Sequence, residues 1–378
     1  MKNGFKKCIV IPDSFKGTLS SLDVCTIMKE QILFLQPDCN VITIPVADGG
    51  EGTVDCFLYA MENMRKIEMT ASGPFGEPVS CYYARYQNTA IIEMAQTAGL
   101  PLVEGQMNPA KTTTYGTGEM IAHAVRNGCN EIIIGLGGSC TNDAGVGAAR
   151  ALGVDFFDKE GNLFFPEADT LSLIDSFDIS KANQLLKKCS ITAMCDIDNP
   201  MYGENGAAYI FAPQKGANPE MVALLDRNLK ALSKTIENCL NRDVSKIPGA
   251  GAAGAMGAGI VAFLGGSLKS GIDTVLDIVK FDDLTKDADI IFTGEGKIDS
   301  QSIRGKVVIG ISKRAQKQNI PVIAVVGAIG KGAEEAYHLG VTSIFSINRT
   351  ATAFEEARHH SKENLAGTMD SIVRTLCI

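Results

Sequence analysis

Glu131-Ile132-Ile133-Ile134-Gly135-Leu136-Gly137-Gly138-Ser139-Cys140-Thr141-Asn142-Asp143 is a short apolar run that ends in a glycine-rich polar loop. Similar stretches occur twice more. Val41-Ile42-Thr43-Ile44 leads into Pro45-Val46-Ala47-Asp48-Gly49-Gly50-Glu51-Gly52-Thr53, and Ile290-Ile291-Phe292 leads into Thr293-Gly294-Glu295-Gly296-Lys297-Ile298-Asp299. A strand that ends in glycines presents bare backbone N–H groups at the carboxyl edge of a sheet, where open α/β sheets bind ligands. Glycine admits a phosphate close to the backbone, and carboxylates hold hard cations. The three loops together point to magnesium and phosphate. A single such loop is better read as a turn in which Gly bends the chain and Asp caps a helix, and it is the three together that favour a site.

Bulk composition narrows the class. A chain of 378 residues exceeds one ordinary core and suffices for two domains. With 45% hydrophobic and 21% charged residues it reads as a soluble globular protein. Thirty-nine glycines, eight tyrosines and no tryptophan fit a turn-rich α/β enzyme better than an aromatic-lined nucleic-acid groove. A formal net charge of -8 argues against a nucleic-acid partner. The eleven cysteines contain no C-x-x-C pair. Cys8, Cys25 and Cys129 sit in apolar segments as small core residues, and the set reads as reduced cytoplasmic thiols. The basic start, Met1 to Lys7, is followed only by the apolar Cys8 to Pro12. That is too short for a signal peptide, and no run reaches the length of a membrane span.

The chain opens as strand, loop, helix, strand. Cys8 to Ile11 is a buried strand, Ser20 with Asp23 makes a capping box, and Val24, Met28, Ile32 and Leu35 recur at helical spacing. Val41 to Ile44 returns as a second, parallel strand. Near residue 69 the texture changes. Val79 to Tyr86 and Ala90 to Met94 read as a β-hairpin around Gln87-Asn88-Thr89, and Asp158 to Phe165 as another. Helices are expected from Thr117 to Val125 and from about Asn142 to Leu152, and strands at Ile132 to Ile134 and Ile191 to Met194. After about residue 283 the parallel rhythm returns with strands at Ile290 to Phe292, Val322 to Val326 and Ser343 to Phe345. The expected fold is α/β: a Rossmann-like parallel-sheet domain of residues 1–68 and 283–378, with an inserted mixed α/β domain of residues 69–282. Segment 110–155 fits either domain.

Several motifs carry chemistry. Lys16, in Asp13-Ser14-Phe15-Lys16-Gly17-Thr18, can hold a phosphate or carboxylate as a point charge, or be a solvated loop lysine. Gly249-Ala250-Gly251-Ala252-Ala253-Gly254 matches G-x-G-x-x-G, but no strand precedes it and Pro248 interrupts the approach. Close helix packing is the better reading. No Walker A or protein-kinase signature is present. Lys215 and Arg304 lie in Gly-containing loops that suit phosphate, although ordinary surface charge is the better reading for any one of them. The four histidines have no zinc spacing. Asp196 and Asp198 stand at a strand end. One can ligate a metal and the other accept a proton, or both belong to the turn at Asn199-Pro200. The functional reading is favoured because no helix that Asp196 would cap follows it nearby.

Pro12 to Ser20 resembles the opening motif of the type 1 bacterial glycerate kinases. Pro45 to Thr53, Thr112 to Glu119, Gly137 to Asp143, Asp196 to Pro200, Pro213 to Ala217 and Thr293 to Asp299 are similar to further blocks of that family, in the same order along nearly the whole chain. Cys140 stands where the family commonly has Ala, and Ala255 where it often has Gly. The resemblance implies ATP-dependent phosphorylation of glycerate to phosphoglycerate, with 2-phosphoglycerate favoured, in a cleft between the Rossmann-like domain and the inserted one. On chemical grounds Gly137, Gly138, Ser139, Thr141 and Asn142 are candidates for the nucleotide phosphates. Asp48, Glu295 and Asp299 are candidates for Mg²⁺. Asp196 would orient or deprotonate the attacking hydroxyl, and Lys16 and Arg304 would bind the glycerate carboxylate or the transferring phosphoryl group. Two alternatives from other classes are an NAD-dependent hydroxy-acid oxidoreductase and a non-catalytic ligand-binding regulator. The density of carboxylates argues against the regulator.

Overall fold

A computed structural model describes residues 4–47, 49–300, 302, 306–350 and 353–377. The chain divides into two compact units. The first comprises Met1–Asp48, Asp55–Glu62 and Ile272–Ile378, and the second Gly49–Val54 and Asn63–Gly271, so that residues 110–155 lie in the second.

The first unit is built on a five-stranded sheet in which every pairing is parallel. Its strands, Lys7–Val10, Asn40–Thr43, Ile290–Thr293, Val322–Val326 and Ser343–Ser346, take the spatial order 2-1-3-4-5 when counted along the chain. That is a doubly wound α/β arrangement whose direction of winding reverses between the first strand and the third. Val322–Val326 shows why the strands read as unbroken apolar runs. Ile323 and Val325 join a core with Val24, Met28 and Leu365, while Ala324 and Val326 join a second core with Val308 and Ala336. Successive side chains of a strand point to opposite faces, and here both faces are covered. The helix Ser21–Leu35 begins as its capping box requires: Ser20 Oγ accepts the Asp23 N–H and Asp23 Oδ2 accepts the Ser20 N–H. Val24, Met28 and Ile32 are its buried face.

In the second unit a six-stranded mixed sheet runs Ser267–Lys269, Ser190–Met194, Glu131–Gly135, Thr89–Glu93, Pro78–Tyr86, Arg65–Ser72. The first four are mutually parallel, and the last three form an antiparallel meander. The expected hairpin at Gln87-Asn88-Thr89 is there, and a small antiparallel sheet pairs Asp155–Phe157 with Leu163–Phe164 and with Ser176–Asp178. The helix Tyr115–Arg126 covers the expected span. The next helix is shorter than expected, Val146–Ala151 rather than about Asn142 to Leu152. Ala144 and Gly145 have left-handed backbones, φ 52° and 73°, which no helix continues through. All eleven cysteines are free, with Cys8, Cys25 and Cys129 buried. Among the described residues no helix is long and apolar enough to cross a membrane.

Gly294, at the carboxyl end of Ile290–Thr293, has no room for a side chain, because a Cβ there would drive into the Val325 carbonyl of the neighbouring strand. Gly294→Ala is therefore expected to destabilise the protein by about 3 kcal/mol, the upper range for overpacking. A drop in Tm measured by scanning calorimetry checks this, and an unchanged Tm contradicts it.

Candidate active site

In the first unit the loops after the first and third strands meet where the winding reverses, the ordinary ligand position of a doubly wound sheet. The Asp13 N–H donates to the Gly294 carbonyl at 2.9 Å, and Thr293 Oγ1 donates to the Ile11 carbonyl. These bonds hold Asp13 and the exposed Lys16 beside the Gly294-Glu295-Gly296 turn. A short bridge between Phe15 and Leu19 closes the Lys16 loop. Glu295 is only 6% exposed, and its Oε1 has no hydrogen-bond partner among the described residues. Burial pushes its carboxyl up to about 7, with the Asp13 and Asp299 carboxylates adding to the rise and Ser302 and Lys306 opposing it. A buried, unmatched carboxylate oxygen fits a hard cation. Asp299 is less committed to that task, since it pairs with Lys297 at 2.9 Å. Asp48 and Arg304 lie outside the described residues. Among the described residues no group of three His, Cys, Asp or Glu side chains is gathered to hold a metal. Magnesium commonly takes only one or two carboxylates together with substrate phosphates, so Glu295 remains a suitable ligand.

The second unit carries the denser constellation. The sequence favours ordinary surface charge for Lys215. It is instead 2% exposed, and Nζ donates to Ser139 Oγ at 2.8 Å and to the Thr141 carbonyl at 2.7 Å. Burial pulls its ammonium down to about 8, with Cys140 and Asp143 opposing the fall. Around it Thr141 and Asn142 are fully buried, yet Thr141 Oγ1, Asn142 Nδ2 and Asn142 Oδ1 have no partner among the described residues. Unmatched buried polar atoms cost about 1–3 kcal/mol each. Three of them stand in the loop whose Thr141 carbonyl accepts from the buried Lys215 ammonium.

The backbone around that place is fixed by short-range packing. Asp143 is buried and accepts from the N–H and hydroxyl of Thr114 at 2.8 and 2.9 Å, and from the N–H groups of Gly145 and Gly147. Burial raises its carboxyl and these donors oppose the rise. One side chain thus joins the Thr112 to Glu119 and Gly137 to Asp143 segments. Gly137 differs from its expected use. Its N–H donates to the Gly49 carbonyl at 2.9 Å, so it ties the loop to residues 49–54 and is not offered to a ligand. Glu93, at the end of its strand, holds the same segment by accepting from the N–H groups of Gly52 and Val54. Gly138 is left-handed at φ 74° and Ser139 is mostly buried.

The G-x-G-x-x-G match is a packing element. No strand precedes it, and Ala253, Gly254 and Ala255 are all left-handed within the helical stretch Ala252–Phe263. A Cβ at Gly254 would collide with the Thr141 carbonyl, so the segment sits backbone against backbone on the Thr141-Asn142 loop. A dinucleotide fingerprint needs a strand before and a regular helix after. The strand is absent and the helix starts through a left-handed run, which removes the feature that favoured an oxidoreductase.

Asp196 is exposed at the end of Ser190–Met194, as is Asp198. The premise that it has no helix to cap does not hold. Its Oδ1 accepts the N–H of Gly271 at 2.8 Å, and Gly271 begins the helix Gly271–Ile278. The capped helix lies far along the chain, out of reach of local reading.

These are the features of an α/β protein with a doubly wound sheet and a buried carboxylate at the switch point in one unit, and in the other a buried lysine bonded to a glycine-rich loop. The chain belongs to the glycerate kinase family, whose model matches residues 8–377. It is 43% identical to a glycerate kinase of Bacillus cereus over 97% of both chains. It is 40% identical to a glycerate 2-kinase of Escherichia coli over 98% of both. A crystal structure from Salmonella typhimurium LT2, carrying the provisional name glycerate kinase 2, superposes with a TM-score of 0.86 at 39% identity and covers 98% of each chain.

The two shifted groups have opposite signatures in stability. Glu295 takes a proton more readily when folded, so its contribution to stability is lost as pH rises from about 4.5 towards about 7. Lys215 binds its proton more weakly when folded, so stability recovers as pH rises from about 8 towards 10.5. Chemical denaturation across pH is expected to show both segments. Glu295→Gln should flatten the first and Lys215→Met the second. Unaltered pH profiles in the two variants would contradict the assignment.

Proposed function

We propose that the chain is a type 1 glycerate kinase that transfers the γ-phosphoryl group of ATP to the 2-hydroxyl of D-glycerate, with Mg²⁺ as cofactor, in the cytoplasm. The observation that carries the reading is the buried Lys215 ammonium beside the unmatched Thr141 and Asn142 side chains. Phosphoryl transfer is largely positioning and charge neutralisation. Lys215 supplies a cation in a site of low dielectric, and Asn142 and Thr141 supply donors and acceptors to phosphate oxygens. Ser139 and the Gly138 backbone complete that cradle. Glu295 would hold Mg²⁺, with Asp48 and Asp299 as further carboxylates, and the ion would supply the charge neutralisation that phosphoryl transfer needs. Lys16 and Arg304 bind the carboxylate of the acceptor or the group in transfer. Asp196 orients the attacking hydroxyl and accepts its proton. The Escherichia coli relative's name, glycerate 2-kinase, supports the 2-hydroxyl as the acceptor. The free cysteines are in keeping with a reducing compartment.

Phosphorus NMR of a reaction with D-glycerate and Mg-ATP tests activity and regiochemistry together. The expected product is 2-phosphoglycerate, and excess EDTA should abolish its formation. A 3-phosphoglycerate signal, or turnover that survives EDTA, would overturn the corresponding part of the proposal. Asp196→Asn separates proton acceptance from capping. The amide oxygen can still accept the Gly271 N–H, so the fold should persist. Loss of the acid–base group should lower kcat by roughly a hundredfold. Near-normal kcat would leave Asp196 as a cap alone.

A further inference from the structure

The loops that follow four neighbouring parallel strands of the first unit enclose a cavity of about 70 Å³. Lys16 comes from the loop after the first strand, and Gly296 from the turn after the third. Gly327 and Ala328 follow the fourth strand, and Ile347 and Asn348 the fifth. Arg358 and Phe354 reach it from the helical segment beyond. The position is the carboxyl edge of a doubly wound sheet, and Gly296 is the residue next to Glu295.

The lining has a clear chemical sense. Lys16 and Arg358 give it two cations, and Asn348 contributes an amide whose Nδ2 is oriented by donation to the Gly327 carbonyl at 3.0 Å. The Asn348 N–H in turn donates to Ser346 Oγ, which fixes the start of that loop. The floor is apolar, formed by the buried Phe15 and Ile347, with the half-exposed Phe354 at the side. Arg358 contacts the exposed Glu355 carboxylate at 3.3 Å. Its guanidinium offers five N–H donors in a planar fork, enough to keep that partner and still receive a second carboxylate. The volume suits a carboxylate on a short carbon chain.

We propose that Arg358 and Asn348, with Lys16, form the subsite that receives the carboxylate of the acceptor and so selects a small hydroxy acid over a neutral polyol. The proposal rests on the glycerate kinase reading and adds to it two residues that set specificity. Arg358 binds the carboxylate through its planar fork, Lys16 adds a point charge, and the apolar floor faces the carbon chain.

The test is steady-state kinetics of the full chain with D-glycerate and Mg-ATP, for the wild type, Arg358→Met and Glu355→Gln. Arg358→Met is expected to raise KM for glycerate roughly ten- to a hundredfold, the value of a charge-assisted hydrogen bond pair. KM for ATP should stay within about twofold of wild type, since the subsite does not touch the nucleotide. Glu355→Gln releases the guanidinium from its exposed partner and should lower KM for glycerate by about twofold, in line with the small worth of a surface pair. Circular dichroism checks that each variant is folded, and the oppositely directed Glu355→Gln result decides the matter if Arg358→Met is not. A wild type that turns over glycerate, with KM for glycerate unchanged in both variants, overturns the subsite and leaves the functional reading standing. A rise in KM for ATP instead would assign the cavity to the nucleotide and also overturn it. A wild type inactive on glycerate overturns the functional reading, and the subsite with it.

Discussion

Burial of one ammonium group sets the terms for the second unit. Lys215 Nζ has a hydroxyl and a carbonyl as partners, Ser139 Oγ and the Thr141 oxygen, and burial alone pulls it towards the neutral form. A cation placed there is costly unless an anion compensates it. The surrounding architecture keeps it in place. Asp143 clamps the glycine loop to the Thr112 to Glu119 segment, Gly137 ties it to residues 49–54, and the left-handed run at Ala253 to Ala255 packs its backbone onto Thr141 and Asn142. Non-glycine residues with left-handed backbones cost about 1–3 kcal/mol each and cluster at functional sites. Ala253 and Ala255 are two of them, side by side with the loop that holds Lys215.

The first unit solves a different problem by the same means. Its switch point brings Asp13, Lys16 and Glu295 onto adjacent loops, and Glu295 is left with a buried oxygen unmatched among the described residues. A carboxyl raised to about 7 is half ionised near neutrality, so a cation that binds only the ionised form would also pull off the proton. Metal binding at Glu295 would thus be linked to pH, which follows from its burial and from neighbouring carboxylates rather than from any metal-binding motif.

The sequence disclosed some of this and concealed the rest, for physical reasons. Strands buried on both faces appear as unbroken apolar runs, and the capping box at Ser20 and Asp23 is a local pattern, so both were legible. The α/β class followed from them. The truncated helix after Asp143 was not, because Ala144 adopts a left-handed backbone only under tertiary packing. Lys215 in Pro213-Gln214-Lys215-Gly216 has the local texture of a surface turn, and its burial comes from a glycine loop some seventy residues earlier. Asp196 was singled out for lack of a helix to cap, while the helix it caps begins at Gly271. Arg358 and Asn348 carry no motif at all. They become noticeable only when parallel strand order brings four loop ends to one cavity.

Calorimetric titration of a non-hydrolysable ATP analogue with Mg²⁺ into the wild type and Lys215→Met tests the central claim most directly. The account predicts an affinity at least about a hundredfold weaker in the variant, as expected when a desolvated charge pair loses one partner. It also predicts proton uptake on binding near pH 8 in the wild type alone, because a bound anion draws the Lys215 ammonium back to its charged form. Equal affinity in the two proteins, with no difference in proton uptake, would contradict it.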